Sequence, residues 1–141
     1  MEVTLSHTSG AQFVGETGSG HAIVIDGPED IGGRNTGARP MELMLLSVGA
    51  CSAVDVLHIL RKGRAPVVDC KVRVKGTRAD TDPKVFTDIA LHFTVIGSGL
   101  KASQVERAVQ LSAEKYCSAS IMLGASARIT HSVDIEEPAA P

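Results

Sequence analysis

The chain has 141 residues, enough for one domain with a hydrophobic core, and we predict a single domain over residues 1–141. Its formal net charge is −2, and its aromatic residues are three phenylalanines and one tyrosine. A nearly balanced charge and so few aromatic rings argue against binding to nucleic acid or to an acidic membrane surface.

The N-terminal third predicts a small antiparallel sheet followed by a loop. Three short segments have the composition of strands, and glycine-containing turns separate them, which is typical of an antiparallel meander. The predicted strands are residues 3–7, 12–16 and 21–26. Residues 27–38 are rich in glycine, so we interpret them as a loop that leads into the next element.

A long apolar helix follows this loop. Pro40 suits the first helical position, and the apolar pattern runs to Lys62, directly before a glycine. A helix that is apolar on nearly every side is expected to be buried. It is long enough to cross a membrane, but Glu42, Asp55 and His58 argue against that interpretation.

The C-terminal half alternates between strands and helices. Ser103 and Glu106 have the spacing of a capping box, with Ser103 as the N-cap of the first helix in this half. The predicted elements are strands 67–76 and 85–96, a helix 104–116, a short helix ended by Gly124, a strand 127–135 and a frayed tail 136–141. Apolar helices need a sheet to cover them, so the fold class is α+β. A homodimer would cover any face of the central helix that one domain leaves exposed.

The three cysteines are widely spaced and do not form the pattern of a secreted disulfide framework. The N-terminus lacks a basic region followed by an apolar run. We therefore expect a cytoplasmic protein. The chain has no CxxC motif and no Cys/His cluster with metal-ligand spacing, so we expect neither a metal nor a cofactor. Cys70 shares the apolar face of a predicted strand with Val72 and Val74, which favours a packing role.

Cys51 lies in the middle of the apolar helix, on a polar stripe. At about 100° per residue, Asp55 lies one turn further along on the same side, and His58 lies about two turns along. The structural alternative is a hydrogen-bonded stripe where the helix meets the sheet or solvent. His58 is too far from Cys51 for a direct Cys–His dyad, and Asp55 would raise the thiol pKa. An activating cation must therefore come from elsewhere in the fold.

Cys117 is predicted to stand at the start of the short helix, where backbone N–H groups favour a thiolate. The segment from Cys117 to Leu123 follows an amphipathic helix, and the long helix begun by Pro40 contains Gly49-Ala50-Cys51. Together these two segments resemble the cysteine motifs of the OsmC/Ohr family, the osmotically inducible and organic hydroperoxide resistance proteins. The order of strands and helices also matches that family over essentially the whole chain.

The resemblance implies an OsmC-like fold, an intertwined homodimer with its sites at the subunit interface, and a thiol peroxidase activity against organic hydroperoxides. Cys51 as a thiolate would attack the peroxide and become a sulfenic acid, and Cys117 would then condense with it to a disulfide. An external dithiol or a lipoylated protein would restore the pair.

The activating residues differ from the family pattern. Peroxidase members have glutamate directly after the helix-initiating proline, where this chain has Met41, so Glu42 comes one position later and about half a turn out of phase with Cys51. The first hairpin contains no arginine, which leaves Arg39 or Arg34 of the loop as the candidate thiolate stabiliser, including from a partner subunit.

Two other functions are compatible with the residues. A non-catalytic module would bind a small apolar or thiol-bearing ligand between subunits, with Cys51 and Cys117 buried and unreactive. A thiol redox sensor would react with peroxide without turning over. We favour the peroxidase because cysteines stand at both family positions.

Overall fold

The computed structural model describes residues 1–139, so the last two residues of the predicted tail lie outside it. The chain groups into two compact units, Met1–Met44 and the remainder from Leu45 onward, with the boundary inside the long helix. The single domain expected from chain length stays a prediction.

The first unit is built on a three-stranded sheet in the order β1-β2-β3. Both strand pairs are antiparallel, which confirms the predicted meander. The strands are β1 (Val3–Ser9), β2 (Gln12–Thr17) and β3 (Ala22–Ile25). The predicted loop follows and contains one short 3-10 turn, Glu29–Ile31.

Asp26 organises that loop. Its side chain is buried, and its carboxylate accepts hydrogen bonds from the backbone N–H groups of Gly27, Arg34 and Thr36 at 2.8, 3.1 and 3.1 Å. The Thr36 hydroxyl donates a fourth bond at 2.6 Å. The Thr36 hydroxyl and N–H contribute most to a pKa of Asp26 far below its ordinary value, against the opposing effect of burial. The loop that carries Arg34 is therefore held by one carboxylate.

The long helix α1 spans Pro40–Lys62, as predicted. Val48, Ser52, Val56 and Leu60, spaced four residues apart, form its buried stripe. On the opposite side Leu46, Ala50 and Val54 are exposed.

The expectation that α1 is buried all round is therefore wrong for the single chain, because the second unit covers only part of the helix. By length and composition α1 is apolar enough to cross a membrane, and 28% of its most apolar 18-residue window is buried within the chain. Core helices of globular proteins reach the same length and apolar composition, so these two properties do not distinguish the two settings.

The second unit contains a sheet in the order β4-β5-β6, in which β4 and β5 are antiparallel and β5 and β6 are parallel. The strands are β4 (Val67–Arg78), β5 (Phe86–Gly97) and β6 (Arg128–Glu136). Alternate residues of β5 are buried, namely Ile89, Leu91, Phe93 and Val95. A Cβ on Gly49 would lie only 2.8 Å from the Val74 side chain, so this glycine allows α1 to approach β4 closely.

The segment between β5 and β6 differs in detail from the prediction. It contains α2 (Ala102–Leu111), a π-helical turn (Ser112–Tyr116) and α3 (Ser118–Gly124). The predicted capping box at Ser103 and Glu106 is wrong. Lys101 is the N-cap of α2, and its side chain makes no capping hydrogen bond. The Lys101 carbonyl already accepts bonds from Gln104 and Val105, which places Ser103 inside the helix.

The Asp26 network generates a prediction for stability against pH. Because the folded carboxylate has a lowered pKa, its contribution is fully present above the unfolded value of 3.8 and is lost as pH falls below it. Asp26→Asn should lower the free energy of unfolding at neutral pH and flatten its decline in acid. Urea unfolding at several pH values measures both. Asp30→Asn, at an exposed neighbouring position, is the control, and an unchanged acid limb in Asp26→Asn would contradict the assignment.

Candidate functional site

Two thiols and a carboxylate converge in the second unit. The Sγ atoms of Cys51 and Cys117 and a carboxylate oxygen of Asp55 all lie within 4.8 Å of one another. Both cysteines are free thiols. The sequence left open whether the two cysteines approach each other, and in the structure they do.

Helix α1 presents the first half of the cluster. Cys51 and Asp55 are half-buried and lie on the same side of α1, as their spacing predicted. The next residue, Ser52, is fully buried and faces the second half of the cluster. Its hydroxyl donates a hydrogen bond to Cys117 Sγ at 3.2 Å and lies 3.3 Å from Ser120 Oγ.

The π-helical turn and α3 present the second half. Cys117 is fully buried and is the N-cap of α3, which confirms its predicted place at the start of the short helix. Its Sγ accepts a hydrogen bond from the Ser120 N–H at 3.4 Å, and its own N–H donates to the Ser112 carbonyl at 2.8 Å. The Ser112 hydroxyl donates to Asp55 Oδ2 at 3.4 Å. The turn is therefore tied to α1 by side-chain hydrogen bonds.

Hydrogen-bond donors converge on the buried sulfur. Burial by itself raises the pKa of the Cys117 thiol, but donors outweigh this effect and the pKa lies below its ordinary value. These donors are the Ser120 hydroxyl, the Ser52 hydroxyl, the Ser120 N–H and the Cys51 thiol. In contrast, burial raises the pKa of the Cys51 thiol, and the neighbouring Cys117 and Asp55 raise it further. The Ala119 N–H lowers this pKa, but its effect is outweighed.

The reduced pair thus favours the negative charge on Cys117 and the proton on Cys51. The family resemblance implied a thiolate at Cys51, and the pair in this chain has the opposite preference because Ser52 and Ser120 donate to Cys117. The thiol that keeps its proton is nevertheless the more accessible one, since Cys51 is half-buried whereas Cys117 has no exposed surface. The more accessible sulfur and the sulfur that holds the charge are therefore different atoms.

A pocket of about 370 Å³ adjoins the cluster. Asp55 belongs both to the cluster and to the pocket wall. The other lining residues are His58, Ile59, Lys62, Leu111 and Tyr116. The wall combines apolar side chains with a lysine and a histidine, which suits an organic molecule that carries a polar group.

The three other candidate residues belong to the first unit. Arg34 Nη2 donates to Ser9 Oγ at 2.7 Å. The Glu42 carboxylate accepts a hydrogen bond from the Arg39 N–H at 2.9 Å, which caps the start of α1. Each therefore has a local structural contact, and a role of Arg34, Arg39 or Glu42 in thiolate activation stays a prediction.

The third cysteine lies apart from this cluster. Cys70 is half-buried on β4, and burial, together with Asp69, raises its thiol pKa. Cys70, Val72 and Val74 are the partly buried members of an alternating pattern on β4, so Cys70 suits the packing role suggested by its strand position. It also provides a matched control for experiments on the other two cysteines.

Sequence reasoning missed the serines that organise the cluster. Ser52, Ser112 and Ser120 are all buried, and each is bonded within the network described above. A signal existed at Ser52, because this polar residue is spaced four positions from Val48 and Val56 on the core-facing stripe of an apolar helix. A buried hydroxyl needs a partner, and that partner is not visible in the sequence.

Comparisons with known proteins agree over nearly the whole chain. Residues 33–132 match the family model described as OsmC-like protein. Protein YhfA of Escherichia coli (strain K12) is 46% identical over 138 residues, which cover 96% of this chain and 98% of that protein.

Solved structures show the same similarity. A hypothetical protein from Aquifex aeolicus VF5 has a TM-score of 0.85 and 37% identity, covering 98% of this chain and 97% of its own. An organic hydroperoxide resistance protein OsmC from Legionella pneumophila has a TM-score of 0.72 and 20% identity, with coverages of 95% and 97%. At that identity the second structure is similar in fold alone.

The hydrogen bond from Ser52 gives a prediction for the Cys117 thiol. In a Cys51→Ala/Cys70→Ala background, Cys117 is the remaining cysteine. Ser52→Ala in that background should move the titration of Cys117 to higher pH, because the thiolate loses a donor. Ultraviolet thiolate absorbance measured against pH reports the shift. Ser47→Ala, at an exposed position of the same helix, should leave the titration in place, and an unmoved curve in Ser52→Ala would contradict the assignment.

Proposed function

The chain belongs to the OsmC-like protein family and has the OsmC-like fold, and we propose that it reduces organic hydroperoxides with the Cys51–Cys117 thiol pair. The observation that carries the proposal is the approach of two free thiols to within 4.8 Å, one accessible and one buried among donors. The resemblance of the two cysteine segments to those of the OsmC/Ohr family supports this choice of substrate.

The first step oxidises Cys51. The Cys51 thiol passes its proton to Cys117 Sγ, and the Cys51 sulfur attacks the terminal peroxide oxygen. The O–O bond breaks, Cys51 becomes a sulfenic acid, and the leaving alkoxide takes the proton from Cys117 to become an alcohol. A thiolate with the higher pKa is intrinsically the stronger nucleophile, which favours attack by Cys51 once its proton has moved.

The second step forms the disulfide. Loss of the proton leaves Cys117 as a thiolate, which attacks the Cys51 sulfur and expels hydroxide. An external dithiol then reduces the disulfide by thiol exchange and is itself oxidised to a disulfide. We place this cycle in the cytoplasm, where dithiol reductants are kept reduced.

The pocket beside Asp55 supports an organic rather than an inorganic peroxide. Its volume of about 370 Å³ exceeds the need of hydrogen peroxide, and Ile59, Leu111 and Tyr116 provide apolar surface. Arg34 or Arg39 remains our candidate for further stabilisation of the thiolate. With Ser52 and Ser120 already donating to Cys117, part of that stabilisation comes from the second unit itself.

The two-cysteine mechanism predicts different results for the two serine variants. With cumene hydroperoxide and a dithiol, Cys51→Ser should reduce turnover to the rate without protein. Cys117→Ser should leave a sulfenic acid at Cys51 that dimedone labels, because the thiol that would condense with it is lost. Turnover measured by peroxide consumption, with peptide mapping of the label, checks both.

Cys70→Ser is the matched control and should keep full activity. Full activity in Cys51→Ser would contradict the mechanism. A Cys51–Cys117 disulfide formed without turnover by any dithiol would indicate a redox sensor. Unchanged thiols after peroxide treatment would indicate a ligand-binding module.

The exposed stripe of α1 supports a homodimer. Leu46 and Val54 are 61% and 66% exposed on the same side of the helix. A second copy of the chain that covered this stripe would remove apolar surface from water, in agreement with the dimer implied by the resemblance.

The dimer is tested by light scattering during size-exclusion chromatography. The wild-type chain should elute with twice the mass of the 14.7 kDa chain. Val54→Lys should shift the protein toward monomer, since it places a charge in the apolar contact, whereas Ser103→Lys, at an exposed polar position of α2, should not. A monomeric wild-type protein at high concentration would contradict the proposal.

A further inference from the structure

We propose that the reduced protein binds a zinc ion through Cys51, Asp55 and Cys117. The three side chains come from two segments distant in sequence, and the ligating atoms gather only in the folded second unit. The three residues do not form a metal-binding motif in the sequence. Two of them lie one helical turn apart on α1, and the third is far along the chain, directly before α3.

The donor set and its spacing suit zinc. In a tetrahedral zinc site, Zn–S bonds of about 2.3 Å place two sulfurs about 3.8 Å apart. The three donor atoms here lie within 4.8 Å of one another, so shifts of about 1 Å or less would bring them to ligand spacing. Two thiolates and one carboxylate form a softer set than calcium or magnesium prefers. Three protein ligands leave a fourth position for water or a small molecule.

Two of the three ligands, Asp55 and Cys117, are held by neighbouring hydrogen-bond donors. The Ser112 hydroxyl donates to Asp55 Oδ2, and the Ser52 hydroxyl donates to Cys117 Sγ. Such second contacts orient metal ligands before the ion arrives, and their loss usually weakens binding by about 10–100-fold.

The zinc site and the disulfide would exclude each other, because both use the same two sulfurs. Zinc bound to both thiolates would block their oxidation, and formation of the Cys51–Cys117 disulfide would remove two of the three ligands. This consequence rests on the proposed peroxidase function, whereas the binding site itself does not. The ion would therefore act as a reversible inhibitor of the thiol pair.

The test measures zinc binding to the protein by competition with a chromophoric zinc chelator. A phosphine keeps the thiols reduced, and oxygen is excluded from the solution. We expect one zinc ion per chain. Asp55→Asn and Ser112→Ala should each weaken binding by about 10-fold or more. The Cys51→Ser/Cys117→Ser double variant should lose the site. Cobalt in place of zinc should give a sulfur-to-metal charge-transfer band in the wild type that the double variant lacks.

The Cys70→Ser variant controls for binding at an unrelated thiol and should bind zinc like the wild type. Circular dichroism shows that each variant is folded. Equal zinc affinity in the wild type and the double variant would overturn the proposal, as would loss of the site in Cys70→Ser. Because these measurements use reduced protein without peroxide, they remain decisive if the peroxidase function fails.

Discussion

The hydrogen bond from the Ser52 hydroxyl to the Cys117 sulfur joins the two segments on which the site depends. Both residues are fully buried, so neither the hydroxyl nor the sulfur can form a hydrogen bond with bulk water instead. A buried hydroxyl without a partner costs about 1–3 kcal/mol in proteins, which favours the one packing that brings Ser52 to Cys117. Because Cys51 precedes Ser52 on the same helix, this packing also brings the two thiols together.

This arrangement distributes charge unevenly across the pair. Donors converge on Cys117, while Asp55 stands beside Cys51 and opposes a negative charge there. The buried sulfur thus holds the charge, and the other sulfur is the more accessible of the two. Within such a pair the proton is shared, so the two thiols are best regarded as one titrating unit.

Helix α1 has three sides with different surroundings. One stripe packs in the core through Val48, Val56 and Leu60, and a second carries Cys51 and Asp55 at the site. A third, with Leu46 and Val54, is exposed in the single chain. A sequence that satisfies all three surfaces is apolar on nearly every side, which explains why composition alone indicated a wholly buried helix.

Local signals determined much of this protein from sequence. The bounds of α1, the antiparallel meander, the place of Cys117 before α3 and the shared side of Cys51 and Asp55 all depend on residues a few positions apart. The mistaken N-cap at Ser103 shows the limit of such signals, since the capping-box pattern occurred inside a helix that begins earlier. Contacts between distant residues have no comparable signal. Ser52 and Cys117 are 65 positions apart, and no pattern in either segment predicts that it contacts the other. Tertiary packing therefore decided that the two thiols meet, and it decided which of them holds the charge, because the donors come from both segments.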